Sequence, residues 1–206
     1  MTTGKDSRSA DWDWNDYFDN ITDPAMRPTV AHALKVLGAG QGRNAVDLGS
    51  GHGNDTRHIL ENGFNVLAID GSEEGLKRLQ SRFPEASESL TVRHTSFKNA
   101  RWGANNWTNA GFALPFCSPQ DFATVWERVK SGIITGGLFS GQLFGVRDSW
   151  NGRVTDMSFH TDAQVSGLIG DWRVHFHNIE ETEGQDAMGR PKHWHIHHIV
   201  IEKPFP

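Results

Sequence analysis

Between Asp47 and Thr56 the chain sets two carboxylates around three alternating glycines, in the run Asp47-Leu48-Gly49-Ser50-Gly51-His52-Gly53-Asn54-Asp55-Thr56. Glycines in that spacing let a backbone take positive φ and come within hydrogen-bonding reach of a ligand, and a helix opening just after them offers free N–H groups. The chemistry such a turn supports is the binding of a nucleotide cofactor. The dinucleotide fingerprint G-x-G-x-x-G needs a third glycine for close helix packing. Counted from Gly49 and Gly51 that position is Asn54, and counted from Gly51 and Gly53 it is Thr56. Asp47 and Asp55 would also oppose a pyrophosphate at the positive end of the helix. A cationic ligand is the better complement, and S-adenosylmethionine, with a sulfonium, an ammonium and one carboxylate, is of that kind.

The next apolar run, Phe64-Asn65-Val66-Leu67-Ala68-Ile69-Asp70, reads as a buried strand ending in a carboxylate about 20 residues past Gly49, the distance at which a strand end reads a ribose. Asp70 can accept from both ribose hydroxyls, which any adenosine cofactor satisfies. With these residues the chain resembles the class I S-adenosylmethionine-dependent methyltransferases, and in size the compact bacterial enzymes of the tellurite-resistance and thiopurine type. Their first motif has an acidic residue two positions before G-x-G-x-G and their second is this acidic strand end. The resemblance implies S-adenosyl-L-methionine as cofactor, held by Asp47, Gly49, Ser50, Gly51, Asn54, Asp55, Asp70 and Gly71. Ser96 and Phe97, in the turn after the third strand, would take the adenine, and Asn109, at the end of the fourth, would touch the cofactor tail or orient substrate.

The elements that must place these residues follow from caps and periodicity. Asp23-Pro24 reads as cap and first turn of a helix to Leu37. Strands at 44–48, 65–70 and 90–94 alternate with helices at 55–62 and from Ser72 to before Pro84. A weak fourth strand at 106–109 leads through Ala110-Gly111-Phe112 to a helix at 119–131. A glycine-rich fifth strand at 138–144 and a helix opened by Thr161-Asp162 and closed by Gly170 complete the alternation. Arg173 to Glu180 and His193 to Glu202 then alternate like a hairpin joined by residues 181–191. The reading is an α/β Rossmann-like three-layer sandwich. It consists of five β–α units and a C-terminal antiparallel hairpin, giving the seven-stranded, mostly parallel sheet that the resemblance also implies. Residues 24–206 form one cofactor-binding domain, and residues 1–23 an aromatic and acidic segment that either staples to the body or covers the site.

The chain has 206 residues and a formal charge of −5, from 20 Lys and Arg against 25 Asp and Glu, without a basic stripe. Nucleic acid is therefore not an expected partner. No apolar run reaches the ~20 residues of a membrane helix, and the single cysteine, Cys117, cannot form an internal disulfide. These features point to a cytoplasmic protein acting on a small molecule.

Methyl transfer from a sulfonium is an in-line displacement that needs alignment and a dry pocket, with a base only where the nucleophile carries a proton. Asn109, His160 and Asp148 are the candidates for catalysis. His160 titrates near neutrality or is a solvated loop residue, and Asp148 accepts a proton or pairs with its neighbour. Asn109-Ala110-Gly111-Phe112 is faintly similar to the Asn-Pro-Pro-aromatic motif of amino-methylating enzymes but lacks both prolines. Trp14, Tyr17, Phe112 and Arg147 are the candidates for substrate contact. His193, His195 and His197 alternate on one strand, with His175 and His177 on its partner. Neighbours two apart stand ~7 Å from one another and no acidic residue is interleaved, so no metal is expected there. Two further readings keep the cofactor: non-methyl chemistry that releases methylthioadenosine, and a binding module without catalysis.

Overall fold

A computed structural model describes residues 25–205. Its sheet runs in the order β3-β2-β1-β4-β5-β8-β7, with a two-residue strand β6 paired to β5. The parallel strands are β1 (Asn44–Leu48), β2 (Asn65–Asp70), β3 (Leu90–His94), β4 (Asn105–Ala110), β5 (Ile133–Gly145) and β6 (Phe159–His160). The long hairpin of β7 (Arg173–Gln185) and β8 (Pro191–Glu202) inserts β8 antiparallel beside β5, with Leu143 opposite His197. This is the expected sheet with one short strand added.

Alternate residues of the same strands feed two cores. Val46, Leu48, Phe139, Leu143, Ile199 and Ile201 meet α4 (Pro119–Gly132) and α5 (Asp162–Ile169) through Val125, Val129, Val165 and Ile169. On the other face Ala45, Val66, Trp107, Leu138 and Val200 meet Val30 and Ala33 of α1 (Pro28–Leu37) and Ile59 of α2 (Asn54–Glu61). The helix α3 (Glu73–Arg82) starts at Ser72, whose hydroxyl accepts from Gly75 N, as its sequence predicts.

The differences from the sequence reading have local causes. The first helix among the described residues starts at Pro28, and the expected start at Asp23-Pro24 lies outside them. A proline drives the residue before it out of the helical region, and Arg27 is extended at φ −63°, ψ 142°. The link from β3 to β4 carries no helix, so four β–α crossovers serve the sheet rather than five. β5 begins at Ile133, directly after α4, and β7 runs on to Gln185, which shortens the hairpin link to residues 186–190.

Candidate cofactor and active site

The glycine turn sits between β1 and α2 with Gly49, Gly51 and Gly53 at φ +75°, +53° and +93°, the left-handed region that glycine alone enters without strain. At Gly49 space matters as well, because a Cβ there would stand 2.3 Å from the Cβ of Ala113. Gly49 N and Ser50 N donate to Ile69 O at 2.7 and 3.2 Å. Gly51 N donates to Asp70 Oδ2 at 2.8 Å and Ser72 N to Asp70 Oδ1 at 2.7 Å. Asp70 thus ties the turn to the end of β2. Burial holds its carboxyl above the ordinary value against the opposing pull of these N–H donors, and each oxygen keeps a second lone pair for a hydroxyl.

Behind the turn lies a buried polar cluster. Asn109, fully buried on β4, donates from one amide nitrogen to Asp47 Oδ1 at 2.9 Å and to Asp55 Oδ2 at 3.0 Å. Its Oδ1 accepts from Ser140 Oγ at 2.7 Å, and Ser140 Oγ accepts from Trp107 Nε1 at 2.8 Å. Asp47 Oδ2 accepts from Thr56 Oγ1 at 2.5 Å, and Asp55 is ion-paired with Arg27. Burial, and then the charge of Asp55, raise the Asp47 carboxyl to about 7. A Cβ at Gly111 would lie 2.1 Å from Asp55 Oδ2, so this glycine lets the carboxylate reach the end of β4.

Next to Gly111 an aromatic wall begins. Phe112 holds φ +55°, fixed by its N–H donating to Gln142 Oε1 at 2.9 Å. The Arg27 guanidinium stands 5.4 Å from the Phe112 ring centroid, and Phe144 and His198 both stand 6.2 Å from it. Phe144 continues the wall to Trp150 and Trp194 at 6.1 and 5.8 Å. Within it the buried Lys192 ammonium lies 3.7 Å from the Trp150 ring centroid and 4.2 Å from that of Trp194, paired with the buried Asp148.

The turn fits a nucleoside cofactor on two observations. The Ser50 hydroxyl is buried and has no hydrogen-bond partner among the described residues. Phe97, after β3, brings its ring to 3.5 Å from the point a Gly49 Cβ would take, and its carbonyl accepts from Arg128 Nη1 at 3.1 Å. Ser96 lies in the same loop, where its carbonyl accepts from Asn99 N and Ala100 N. Asn54 opens α2 and takes a 3.4 Å contact from Arg82, and Gly71 O faces His94 Nε2 at 3.0 Å.

The structure distributes the remaining candidates differently from the sequence reading. Both Asn109 amide hydrogens are committed to carboxylates, so it bridges them rather than presenting its amide to substrate. Asp148 is not an exposed loop carboxylate; it is closed in by Lys192 and by Trp150 N. Arg147 pairs with Glu181 of β7 at 2.8 Å. His160 packs on Phe122 of α4 at 4.4 Å between ring centroids, and burial lowers its pKa. Burial likewise pushes the Cys117 thiol up to about 11. Trp14 and Tyr17 lie outside the described residues. Sequence reasoning missed Arg27, Gln142 and Lys192. The one available signal was Gln142, a polar residue inside an otherwise apolar and glycine-rich strand.

The architecture is that of the class I S-adenosylmethionine-dependent methyltransferase fold. TehB from Haemophilus influenzae superposes with a TM-score of 0.76 at 15% identity, over 92% of this chain and 67% of that one. A 1,6-didemethyltoxoflavin-N1-methyltransferase from Burkholderia thailandensis, solved with bound 1,6-didemethyltoxoflavin and S-adenosylhomocysteine, gives 0.66 at 20% identity, over 93% and 85% of the two chains. In sequence, a carboxy-S-adenosyl-L-methionine synthase from Vibrio vulnificus is 29% identical over 106 residues. That match spans 46% of this chain and 41% of the synthase, under half the length of either. No protein-family profile matches the chain. No helix among the described residues is long and apolar enough to cross a membrane.

Proposed function

We propose that the protein binds S-adenosyl-L-methionine and transfers its methyl group to a small-molecule acceptor. The observation that carries this reading is the coupling of the Gly49–Gly53 turn to Asp70 on one side and to the Asp47–Asn109–Asp55 cluster on the other. On this reading Asp70 accepts from the ribose hydroxyls, Phe97 covers the adenine, and the acidic cluster favours a ligand whose reacting end is cationic. Bound there, the cofactor supplies an electrophilic methyl. The chain's own contribution is alignment and exclusion of water by Gly111, Phe112 and the aromatic wall. The Asn109 amide is committed to Asp47 and Asp55, His160 packs on Phe122 and Asp148 pairs with Lys192, which favours a nucleophile that needs no protein base. A reducing cytoplasm suits the lone Cys117.

The test is calorimetric binding of S-adenosylmethionine and S-adenosylhomocysteine, followed by a screen with cofactor labelled on its methyl against small amines, thiols, carboxylates and chalcogen oxyanions. Saturable binding with a labelled small product is expected; failure to bind either compound overturns the reading. The partial similarity to a carboxy-S-adenosyl-L-methionine synthase favours a second reading, in which the cofactor itself is the compound altered. Mass analysis of the nucleoside products separates the two, since methyl transfer leaves S-adenosylhomocysteine.

A further inference from the structure

Under the first turn of α5, three groups converge that methyl transfer does not use. His195 and His197 on β8 are both fully buried, and their ring centroids are 5.1 Å apart. Asp162, the first residue of α5, brings Oδ1 to 3.4 Å from His197 Nε2 and 3.7 Å from His195 Nε2. One ligand atom from each of the three lies within 4.8 Å of the others. The sequence argument against a metal assumed splayed neighbours and no acidic partner. Here the rings lean together and the carboxylate arrives from another element.

The hydrogen bonding supplies a second, independent observation. His197 Nε2 is buried with no hydrogen-bond partner among the described residues, while its Nδ1 faces His177 Nε2 at 3.2 Å. With the proton on Nδ1 and donated to His177, the Nε2 lone pair faces the Asp162 oxygen, and two acceptors oppose each other unless a cation lies between them. At His195 the Arg147 backbone N–H donates to Nδ1 at 3.2 Å, and the Arg147 guanidinium stands 2.9 Å from Nε2, the nitrogen that faces Asp162. Gly145 makes this possible, because a Cβ there would come within 2.0 Å of His195 Nδ1.

We infer that Asp162, His195 and His197 form a site for a divalent transition-metal ion of the zinc type, with His177 orienting His197 from behind. The separations of 3.4 and 3.7 Å from Asp162 to the two imidazoles approach the ~3.4 Å edge of a tetrahedron whose metal–ligand distances are about 2.0–2.1 Å. Two imidazoles and one carboxylate suit zinc and its neighbours better than calcium or magnesium, which take oxygen ligands. Asp162 is the exposed member of the three, its side chain 54% exposed. Arg147, anchored to Glu181 through two hydrogen bonds at 2.8 and 2.9 Å, is the cation that occupies this ground now. An incoming ion displaces its Nη2 from His195 and pins α5 to β8.

The experiment strips the full chain with a chelator, titrates it with zinc by calorimetry, and repeats the titration with cobalt, read by its visible absorption. One equivalent is expected to bind and to raise the melting temperature. Asp162→Asn and His197→Gln should each weaken binding more than about tenfold, since loss of a mere outer-sphere partner already costs 10–100-fold. Arg147→Gln should tighten binding by removing the competitor, and His193→Gln, an imidazole held by Glu181 and Glu183, should leave it unchanged. Absent saturable uptake, indifference to Asp162→Asn, weaker binding in Arg147→Gln, or loss with His193→Gln each overturns the assignment. Asp162 is exposed enough that its variant answers the question even where a buried histidine variant does not fold. None of these readings depends on methyl transfer.

Discussion

Gly49 and Ala113 meet so closely that the glycine's missing Cβ would lie 2.3 Å from the alanine's, which locks the cofactor turn of β1 against the loop that follows β4. Gly49→Ala therefore faces two penalties, the overlap and a φ of +75°, together on the order of 2–4 kcal/mol. Thermal unfolding should fall accordingly, and S-adenosylmethionine binding should drop below detection. In Gly49→Ala/Ala113→Gly the overlap is gone and the strained φ remains, so part of the stability should return. A fully stable single variant that still binds cofactor would contradict the packing described.

The buried Asp47 makes stability depend on pH in a stated direction. Its folded carboxyl titrates at about 7, against about 3.9 in an unfolded chain. Between those values the folded chain keeps a proton that the unfolded chain has released, so this group's contribution to stability falls as pH rises from about 4 to about 7 and is flat above. The slope is about 1.4 kcal/mol per pH unit for one proton. Chemical denaturation of the wild type and Asp47→Asn across that range measures it, and the variant should lose this part of the slope. An unchanged slope would show that Asp47 is ionised throughout.

The same proton reports on ligand binding. A cationic ligand beside the cluster favours the ionised form of Asp47 and pulls its pKa down. Binding of S-adenosylmethionine at pH 6.5 should then release a fraction of a proton. Calorimetry in two buffers of different ionisation enthalpy detects it, and Asp47→Asn should abolish the difference between them. Equal heats for the wild type in both buffers would separate Asp47 from the ligand's charge.

What the sequence made legible follows the reach of each signal. The Gly49–Gly53 turn, Asp70 and the caps at Ser72 and Thr161 are local, because their geometry depends on residues within a few positions. The hairpin was legible in its alternating pattern, whereas its place in the sheet was reachable only through the resemblance that the turn and Asp70 carry. The roles of Asn109, Asp148 and Arg147 were not, since each is set by a partner far along the chain: Asp47 for the first, Lys192 for the second, Glu181 for the third. A single sequence carries no record of those meetings. The same holds for Arg27, whose place over Phe112 follows from a proline-driven start of α1 and a left-handed Phe112, two features that only matter once the two loops are side by side.

Lys192 and Asp148 form an ion pair with both side chains fully buried, and the ammonium is faced by the Trp150 ring at 3.7 Å and that of Trp194 at 4.2 Å. Burial lowers the lysine pKa while Asp148 pulls it back up, so the charge survives on the strength of its partners. Lys192→Met leaves a buried carboxylate alone, and Asp148→Asn leaves a buried ammonium with a weaker acceptor. Each should cost about 3–5 kcal/mol for the unpaired charge, less in Asp148→Asn, where the aromatic faces still stabilise the cation. The double variant Lys192→Met/Asp148→Asn removes both charges and should recover most of the loss. Urea denaturation gives the coupling, and tryptophan fluorescence reports whether Trp150 and Trp194 keep their packing. Additive losses in the double variant would mean that the two residues act independently and that the aromatic wall, rather than the pair, holds the 146–158 loop against β8.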